Sequence, residues 1–201
     1  MQIKSRPMGA YQTNCYIVTI EGKELIIDPG MGAASWVLSQ VTHPVAILNT
    51  HGHFDHVWSN AELKKALNVP LYCPDEDRFM LKEDPFGQGT PVSHPDYSVQ
   101  GDALLHIGGL PVQYRHFPGH TPGNSIIEIA DHWFSGDFLF QQSIGRWDFP
   151  YSSGSDMIRS LQKAMQIKGE FIVHPGHGGD TSLSAEQKIM PFWIEQVKQT
   201  L

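Results

Sequence analysis

Apolar residues occur along the chain in short runs separated by polar, glycine-rich turns. Residues 17–20 and 25–27 are apolar runs joined by a turn-like segment, 21–23, so they are predicted to form a β-hairpin. A helix is predicted over 33–38, and the apolar run 45–48 is predicted to be a strand. The first fifty residues therefore read as strands on either side of a helix.

The next segment continues this alternation and then loses it. Ser59, followed three residues later by Glu62, has the spacing of a capping box, which predicts a helix through Leu67. A strand is predicted over 69–72. Residues 83–103 are rich in proline, glycine and aspartate and show weak periodicity, which is typical of a functional loop, and we expect this segment to lie over the functional site as a mobile lid.

The second half contains five more apolar runs typical of strands, at 104–107, 112–117, 125–129, 132–134 and 171–174. A helix is predicted from Ser155, and a last helix from Ser184 should be interrupted by Pro191. Strand runs followed by strand–helix alternation in each half predict an α/β domain with central sheets and outer helices.

Composition is that of a single globular domain. The chain has 201 residues, of which 40% are hydrophobic and 17% charged, and no apolar stretch approaches the roughly 20 residues of a membrane span. The N-terminus has no apolar h-region, so no signal peptide is predicted. Cys15 and Cys73 match no zinc or redox pattern, which favours two reduced thiols in a cytoplasmic protein that does not associate with membranes.

Charge argues against a nucleic-acid partner. The formal net charge is −7, and two divalent ions would bring it only to −3. There are no basic runs. The eleven histidines are unusual beside fourteen lysines and arginines, and several of them lie in short glycine-rich segments.

Residues 50–56, Thr-His-Gly-His-Phe-Asp-His, place four metal-binding side chains directly after an apolar strand. The four are His51, His53, Asp55 and His56. Their spacing matches neither one helix face nor one strand face, so we expect a tight loop in which Gly52 gives backbone freedom. Imidazole and carboxylate ligands suit zinc and similar metals, and two groups pointing in different directions suit two ions.

Three further side chains meet the requirement for more ligands. His120, Asp137 and His177 each follow a glycine and an apolar run, within Pro-Gly-His-Thr-Pro-Gly, Gly-Asp and Pro-Gly-His-Gly. Each alone would be an ordinary turn residue. Together with residues 50–56 they predict a metal centre.

In this order, the motifs resemble those of the metallo-β-lactamase superfamily, specifically its small glyoxalase II-like branch. The resemblance runs from the Ile-Asp-Pro-Gly turn at 27–30 to His177. It implies a four-layer αβ/βα sandwich, with two mixed sheets, helices on the outer faces and two metal ions at one edge. Zinc is the expected metal, with iron or manganese as alternatives.

The same resemblance implies a role for each matching residue. His51, His53 and His120 would bind the first metal, and Asp55, His56 and His177 the second. Asp137 would bridge the two ions. The resemblance assigns the two aspartates of the set, Asp55 and Asp137, to catalysis. Asp28 matches a position that supports the ligands from outside the coordination sphere.

The expected reaction is hydrolysis of an S-acyl thioester similar to S-lactoylglutathione by a metal-bound hydroxide. Two metals lower the pKa of a shared water, and a thiolate leaves with little help from an acid. Because 24 residues follow His177, residues 1–201 are expected to form one domain without a separate glutathione-binding helical segment. Arg146 is a candidate for binding a substrate carboxylate, or else a structural partner of Asp148.

Three alternatives stay open at this stage. A persulfide dioxygenase would use one iron, on the equivalents of His51, His120 and Asp137. A phosphodiesterase or RNase of the same superfamily usually has basic recognition arms, which are absent here. The last alternative is a metal-binding module without catalysis. Trp58, where small residues are usual, either lines the pocket or packs under the loop. The oligomeric state is open.

Overall fold

The computed structural model describes residues 1–201, which form fourteen strands and seven helices. The strands are β1 Gln2–Met8, β2 Thr13–Ile20, β3 Lys23–Ile27, β4 Pro44–Leu48, β5 Leu71–Pro74, β6 Tyr97–Val99, β7 Ala103–Ile107, β8 Leu110–His116, β9 Ser125–Ile129, β10 His132–Gly136, β11 Leu139–Phe140, β12 Ser143–Ile144, β13 Ile172–Pro175 and β14 Thr181–Ser182. The helices are α1 Ala33–Gln40, α2 Phe54–Val57, α3 Asn60–Leu67, α4 Arg78–Glu83, α5 Gly154–Met165, α6 Leu183–Gln187 and α7 Met190–Lys198. None of these helices is long and apolar enough to cross a membrane.

Two six-stranded sheets form the centre of the fold, in the orders β1-β2-β3-β4-β5-β6 and β14-β13-β10-β9-β8-β7. In the first sheet, β1 to β3 pair antiparallel and β3 to β6 pair parallel. In the second, β7 to β10 pair antiparallel, and β13 joins β10 in parallel. Both sheets are therefore mixed, and β11 and β12 form a separate small hairpin.

Alternation along the central strands separates the layers. In β2, Cys15 and Ile17 pack against α1, α3 and α4, whereas Tyr16 and Val18 face the second sheet. Successive side chains of a strand point to opposite faces, so one run of apolar residues contributes to two cores. In the second sheet, Phe134 packs between the sheets. The neighbouring side chain of Trp133 packs against α5, α6 and α7.

These three apolar cores confirm the predicted four-layer αβ/βα sandwich. Cys15 and Cys73 are buried free thiols in the core between the first sheet and its helices. The last helical segment is interrupted as expected, because α6 ends at Gln187 and Pro191 lies in the first turn of α7.

Some local predictions were wrong. The strand β1 was missed because its alternation is weak at a sheet edge, and the strand predicted over 69–72 is β5, two residues later. The helix α3 does begin after Ser59. The hydroxyl of Ser59, however, donates to the carbonyl of Gly30 (2.7 Å) and does not cap the helix. The segment 83–103 is not irregular throughout, since residues 97–99 are β6.

Candidate metal centre

The candidate ligands come together at one edge of the sandwich because each follows the end of a strand. His51 and His53 follow β4, and His120 follows β8. Asp137 directly follows β10, and His177 follows β13, which lies parallel beside β10. The structure thus brings all seven predicted ligand side chains to one place.

His51, His53 and His120 form the first group, with one ring nitrogen of each within 4.8 Å of the others. The ring centroids of His53 and His120 are 4.5 Å apart, and those of His51 and His53 are 5.0 Å apart. All three rings are buried and meet nearly edge to face. This is a three-imidazole cluster of the kind that holds a borderline divalent ion.

Asp55, His56 and His177 form the second group, also within 4.8 Å. Oδ2 of Asp55 lies 3.4 Å from Nε2 of His177 and 3.5 Å from Nε2 of His56. Thr13 orients this carboxylate, because its hydroxyl donates to Oδ2 of Asp55 at 2.7 Å. The second group therefore has a mixed carboxylate and imidazole donor set.

Asp137 lies between the two groups. Its Oδ2 is 3.4 Å from Nε2 of His120, in the first group, and 3.3 Å from Nε2 of His177, in the second. Its Oδ1 is 3.3 Å from Nε2 of His56. A carboxylate placed in this way can contact an ion in either group, as a bridging ligand must.

Residues 50–56 are only partly the loop that the spacing predicts. Asp55 and His56 belong to the short helix α2, whose turn directs both side chains to the second group. Gly52 is required for space, since a Cβ there would lie 2.8 Å from the carbonyl oxygen of Asp77 and 2.9 Å from Cβ of Met80. Close packing, and not backbone freedom, explains this glycine.

Asp28 supports the histidines from behind, as its position in the motif implies. Its Oδ2 accepts hydrogen bonds from Nδ1 of His56 (2.9 Å) and from the hydroxyl of Thr50 (2.6 Å). Nδ1 of His51 lies 3.0 Å from the same hydroxyl and donates to it. Both rings then present Nε2 to the centre. Asp28 also accepts from the amide of Thr50 at 2.8 Å, so it is a positioning carboxylate.

Backbone carbonyls orient two further rings in the same way. Nδ1 of His120 donates to the carbonyl of Arg146 (2.8 Å), and Nδ1 of His177 donates to the carbonyl of Tyr11 (3.0 Å). In each case Nε2 is left as the atom that faces the other donors. A hydrogen bond at one ring nitrogen fixes the tautomer and frees the other nitrogen for a metal.

Sequence reasoning missed Asp77, a buried carboxylate that ties two ligand loops together. Its Oδ2 accepts from the amide of Gly52 (2.9 Å) and the hydroxyl of Thr121 (2.6 Å), and its Oδ1 accepts from the amide of Gly123 (2.7 Å). Burial raises the pKa of Asp77 to about 6, although these three donors oppose the rise. The loops of His53 and His120 therefore share one anchor.

Asn14 was also missed, and it anchors the loop of His177. Its Nδ2 donates to the carbonyls of Pro175 (3.0 Å) and Gly178 (2.9 Å), one on each side of the histidine. Of the other histidines, His116 donates from Nε2 to the carbonyl of Pro122 (2.8 Å), in the loop of His120. His174 pairs instead with His132, at 2.8 Å between ring nitrogens.

The donor atoms are unsatisfied within the protein, which tests whether the residues fit metal ions. Buried polar atoms normally have hydrogen-bond partners, and each exception needs a physical reason. Nε2 of His51, His53, His56 and His120 and Oδ1 of Asp137 are buried and have none. Five lone atoms that converge on one centre fit a pair of divalent cations.

The electrostatics divide the two groups. Burial lowers the pKa of His53 to about 3 and lowers that of His51, so both are in the neutral form that binds metal. Burial also disfavours the charged form of His177, but hydrogen bonds from Nε2 to Asp137 and Asp55 outweigh it and raise its pKa to about 9, so these carboxylates favour a positive charge at Nε2, where a metal ion would replace the proton. Burial raises the pKa of Asp55, yet the charge of His56 and the hydrogen bond with His177 bring it down to about 2.

A cavity of about 480 Å³ opens over the donors. Five of the ten lining residues are donors, and the others are Tyr11, Phe54, Phe86, Gln88 and Phe149. Part of the segment 83–103 thus lies over the metal edge, as predicted for a lid, whereas its mobility stays a prediction. Trp58 is half-buried and does not line this cavity.

Arg146 is not among the lining residues either. Its guanidinium makes a two-pronged ion pair with Asp148, with Nε and Nη2 at 2.8 and 2.9 Å from the carboxylate oxygens. The same guanidinium lies 4.2 Å above the ring of Phe149. Of the two sequence alternatives, this geometry favours the structural pair.

Comparison with known proteins agrees with this geometry. The profile described as "Metallo-beta-lactamase superfamily" matches residues 8–177. A Haemophilus influenzae protein named hydroxyacylglutathione hydrolase GloC is 33% identical, over 96% of this chain and 98% of that protein.

Two solved structures are similar along nearly their whole length. BLEG-1, described as a B3 metallo-beta-lactamase, has a TM-score of 0.85 and 31% identity, covering 95% of this chain and 99% of that one. TTHA1623, solved in a di-iron-bound form, has a TM-score of 0.81 and 32% identity, covering 94% of this chain and 99% of that one.

Proposed function

The chain belongs to the metallo-beta-lactamase superfamily, and from that premise we propose that it is a dinuclear-metal hydrolase that cleaves S-acyl thioesters. The observation that carries the proposal is the convergence of two donor groups on Asp137. Its carboxylate oxygens lie 3.4 Å from Nε2 of His120 and 3.3 Å from Nε2 of His56. A centre for a single ion would leave one group, with its buried nitrogens, unused.

Two divalent ions in these groups would supply Lewis acidity for polarising a carbonyl oxygen and for lowering the pKa of water. Zinc is the metal we expect from the imidazole and carboxylate donors, with iron as the principal alternative. The protein contributes the positions. Asp28 and Thr50 aim His51 and His56, Asp77 holds two ligand loops, and Asp137 sets the separation of the two groups.

The lining of the cavity favours a thioester. Apart from the metal donors it contains no carboxyl group, lysine or further histidine that could protonate a leaving group. A thiol, with an ordinary pKa near 8.5, leaves as thiolate without such help. An amide nitrogen or an alkoxide requires a proton, so the same lining is less suited to them. The similarity to the protein named hydroxyacylglutathione hydrolase supports the same substrate class.

β-Lactam hydrolysis is the second candidate, favoured by the similarity to the structure described as a B3 metallo-beta-lactamase. Its leaving group is a nitrogen that requires a proton, and Tyr11 is the single titratable side chain of the lining apart from the metal donors. Persulfide oxidation on one iron would use His51, His120 and Asp137, and the other four donors, His53, Asp55, His56 and His177, would bind no metal. Phosphodiester cleavage lacks a basic surface to support it, given the net charge of −7.

The decisive experiment combines metal analysis with steady-state kinetics on four substrate classes. We expect turnover of simple thioesters, and little or none of a β-lactam, a phosphodiester or glutathione persulfide. Robust cleavage of a β-lactam or phosphodiester without thioester turnover would overturn the proposal. Oxygen consumption with the persulfide, on protein holding one iron per chain, would replace it with the dioxygenase reaction.

A further inference from the structure

The part of the cavity that does not bind metal is almost wholly aromatic. Its side chains are Tyr11, Phe54, Phe86, Phe149 and a single neutral polar residue, Gln88. These residues come from four separate segments of the chain, so no local motif reveals them. We name Tyr11, Phe54, Phe86 and Phe149 the aromatic wall.

The aromatic wall lies directly against the metal donors. The ring of Phe86 meets that of His53 edge to face, with centroids 5.0 Å apart. Phe149 lies 6.1 Å from His53 and 6.0 Å from His120, also nearly edge to face.

Tyr11 and Phe54 form the other pair. Their rings meet edge to face at 5.1 Å, and the carbonyl of Tyr11 accepts the hydrogen bond from Nδ1 of His177. Aromatic rings thus stand beside both donor groups. A substrate bond held at the donors would have its substituents among these rings.

Arg146 lies beside the aromatic wall and outside the cavity lining. Its exposed guanidinium pairs with Asp148 through two hydrogen bonds and covers the ring of Phe149 at 4.2 Å. A cation over an aromatic face stabilises the ring as well as the charge. Arg146 therefore supports the aromatic wall, and the cavity lining itself has no lysine or arginine.

We propose that the aromatic wall is a specificity site for an uncharged aromatic group carried by the thioester. This inference rests on the proposed thioester hydrolysis and adds the class of substrate. A cavity of about 480 Å³ has room for such a group beside the scissile bond. Rings bind among rings by offset or edge-to-face contact, and a small acyl group leaves those contacts unmade. Peptide carboxylates gain no fixed cation in the lining.

The test compares neutral thioesters that differ by one phenyl ring. The reference compound, S-ethyl thioacetate, has no ring. S-ethyl phenylthioacetate carries the ring on the acyl side, and S-benzyl thioacetate carries it on the thiol side. A methylene separates the ring from the reacting atoms in each, which keeps their intrinsic reactivities similar. We expect kcat/KM to be at least about tenfold higher for one of the two phenyl compounds than for S-ethyl thioacetate.

Variants assign the preference to the aromatic wall. Phe86→Ala and Phe149→Ala should each reduce that ratio by at least about fivefold while S-ethyl thioacetate is still hydrolysed. Phe192→Ala, at an exposed phenylalanine of α7, should leave the ratio unchanged. Inhibition by 1-phenyl-2-pentanone, the ketone in which a methylene replaces the sulfur of S-ethyl phenylthioacetate, should weaken in the two wall variants.

The outcomes separate this inference from the proposed function. Equal kcat/KM for all three thioesters, or a preference that survives both wall variants, would overturn the aromatic specificity and leave thioester hydrolysis standing. No hydrolysis of any thioester by protein loaded with two metals would overturn the proposed function.

Discussion

Gly176 lies so close to Asp137 that no side chain fits between them. A Cβ on Gly176 would overlap Oδ1 of Asp137 and would stand 2.6 Å from Cε1 of His56. The amide of Gly176 also donates to the carbonyl of Gly136 at 2.8 Å, which joins the loop of His177 to that of Asp137. The glycine before His177 is therefore part of the metal centre through its lack of a side chain.

The substitution Gly176→Ala should consequently displace Asp137 or His56 and reduce metal content to below half of the wild-type value. The matched control is Gly179→Ala in the same loop, where a Cβ would meet nothing closer than 3.7 Å. Metal analysis by inductively coupled plasma mass spectrometry, with circular dichroism to check folding, measures both. Full metal content in Gly176→Ala would show that the site tolerates a methyl group there.

The candidate ligands could be predicted from sequence because their signals are local. Residues 50–56 hold four donors in seven positions, and His120 and His177 each carry a Pro-Gly before them. Strand alternation likewise carries the layer assignment, as in Cys15 to Val18, where neighbouring residues enter different cores.

The supports of the site could not be predicted because they act across long separations. Asp77 lies in an acidic run, Asp-Glu-Asp, that resembles a solvated surface turn, and it binds partners 25 and 46 residues away. Asn14 holds a loop more than 160 residues distant. The spacing predicts that the hydroxyl of Ser59 caps helix α3, but this hydroxyl donates to the carbonyl of Gly30 instead. Such choices depend on tertiary contacts that residue spacing does not encode.

Metal content is the second prediction. The purified protein, reconstituted and freed of excess metal, should hold close to two divalent ions per chain, because seven donors are too many for one tetrahedral ion. His106→Ala, in β7, is the control and should not change the content. One iron per chain, with no second site on titration, would contradict the dinuclear assignment.

Asp137 carries the third prediction. Because this carboxylate stands between the donor groups, Asp137→Ala should lower thioesterase activity by at least about a hundredfold and reduce metal content. Asp131→Ala, at an exposed aspartate just before β10, should keep activity within twofold of wild type. Near-normal turnover and metal content in Asp137→Ala would show that the carboxylate does not bridge the two groups.

The fourth prediction concerns the anchor Asp77. An asparagine there keeps the shape but cannot accept from all three donors, and each unsatisfied buried donor costs about 1–3 kcal/mol. At pH 8, well above the pKa of about 6, wild-type Asp77 is ionised. Asp77→Asn should then weaken metal affinity about tenfold or more, as losses of outer-shell support do.

Asp75→Asn is the matched control. Asp75, like Asp77, lies just before α4, but it pairs with Arg78 near the surface. Its metal affinity should stay within twofold of wild type. Competition with a chromogenic chelator measures both variants. Equal affinity in Asp77→Asn and wild type would mean that the ligand loops keep their places without this anchor.

Arg146 decides between two modes of glutathione recognition. If its guanidinium bound a glutathione carboxylate, Arg146→Ala would remove a charged hydrogen bond of about 1.5–3 kcal/mol and raise KM for S-lactoylglutathione more than tenfold. The structure gives that guanidinium to Asp148 and to the ring of Phe149.

We therefore expect S-lactoylglutathione to be hydrolysed with a KM above the micromolar range and Arg146→Ala to change that KM by less than threefold. For the preferred phenyl thioester, Arg146→Ala should change KM by more than this, because the ring of Phe149 loses the cation that covers it. Arg159→Ala, which breaks an exposed ion pair with Asp156 in α5, controls for the loss of one surface charge. Steady-state kinetics on the three proteins gives the answer. A tenfold rise in KM for S-lactoylglutathione that is seen only in Arg146→Ala would contradict this expectation. It would show that Arg146 gives up its ion pair with Asp148 and binds the substrate.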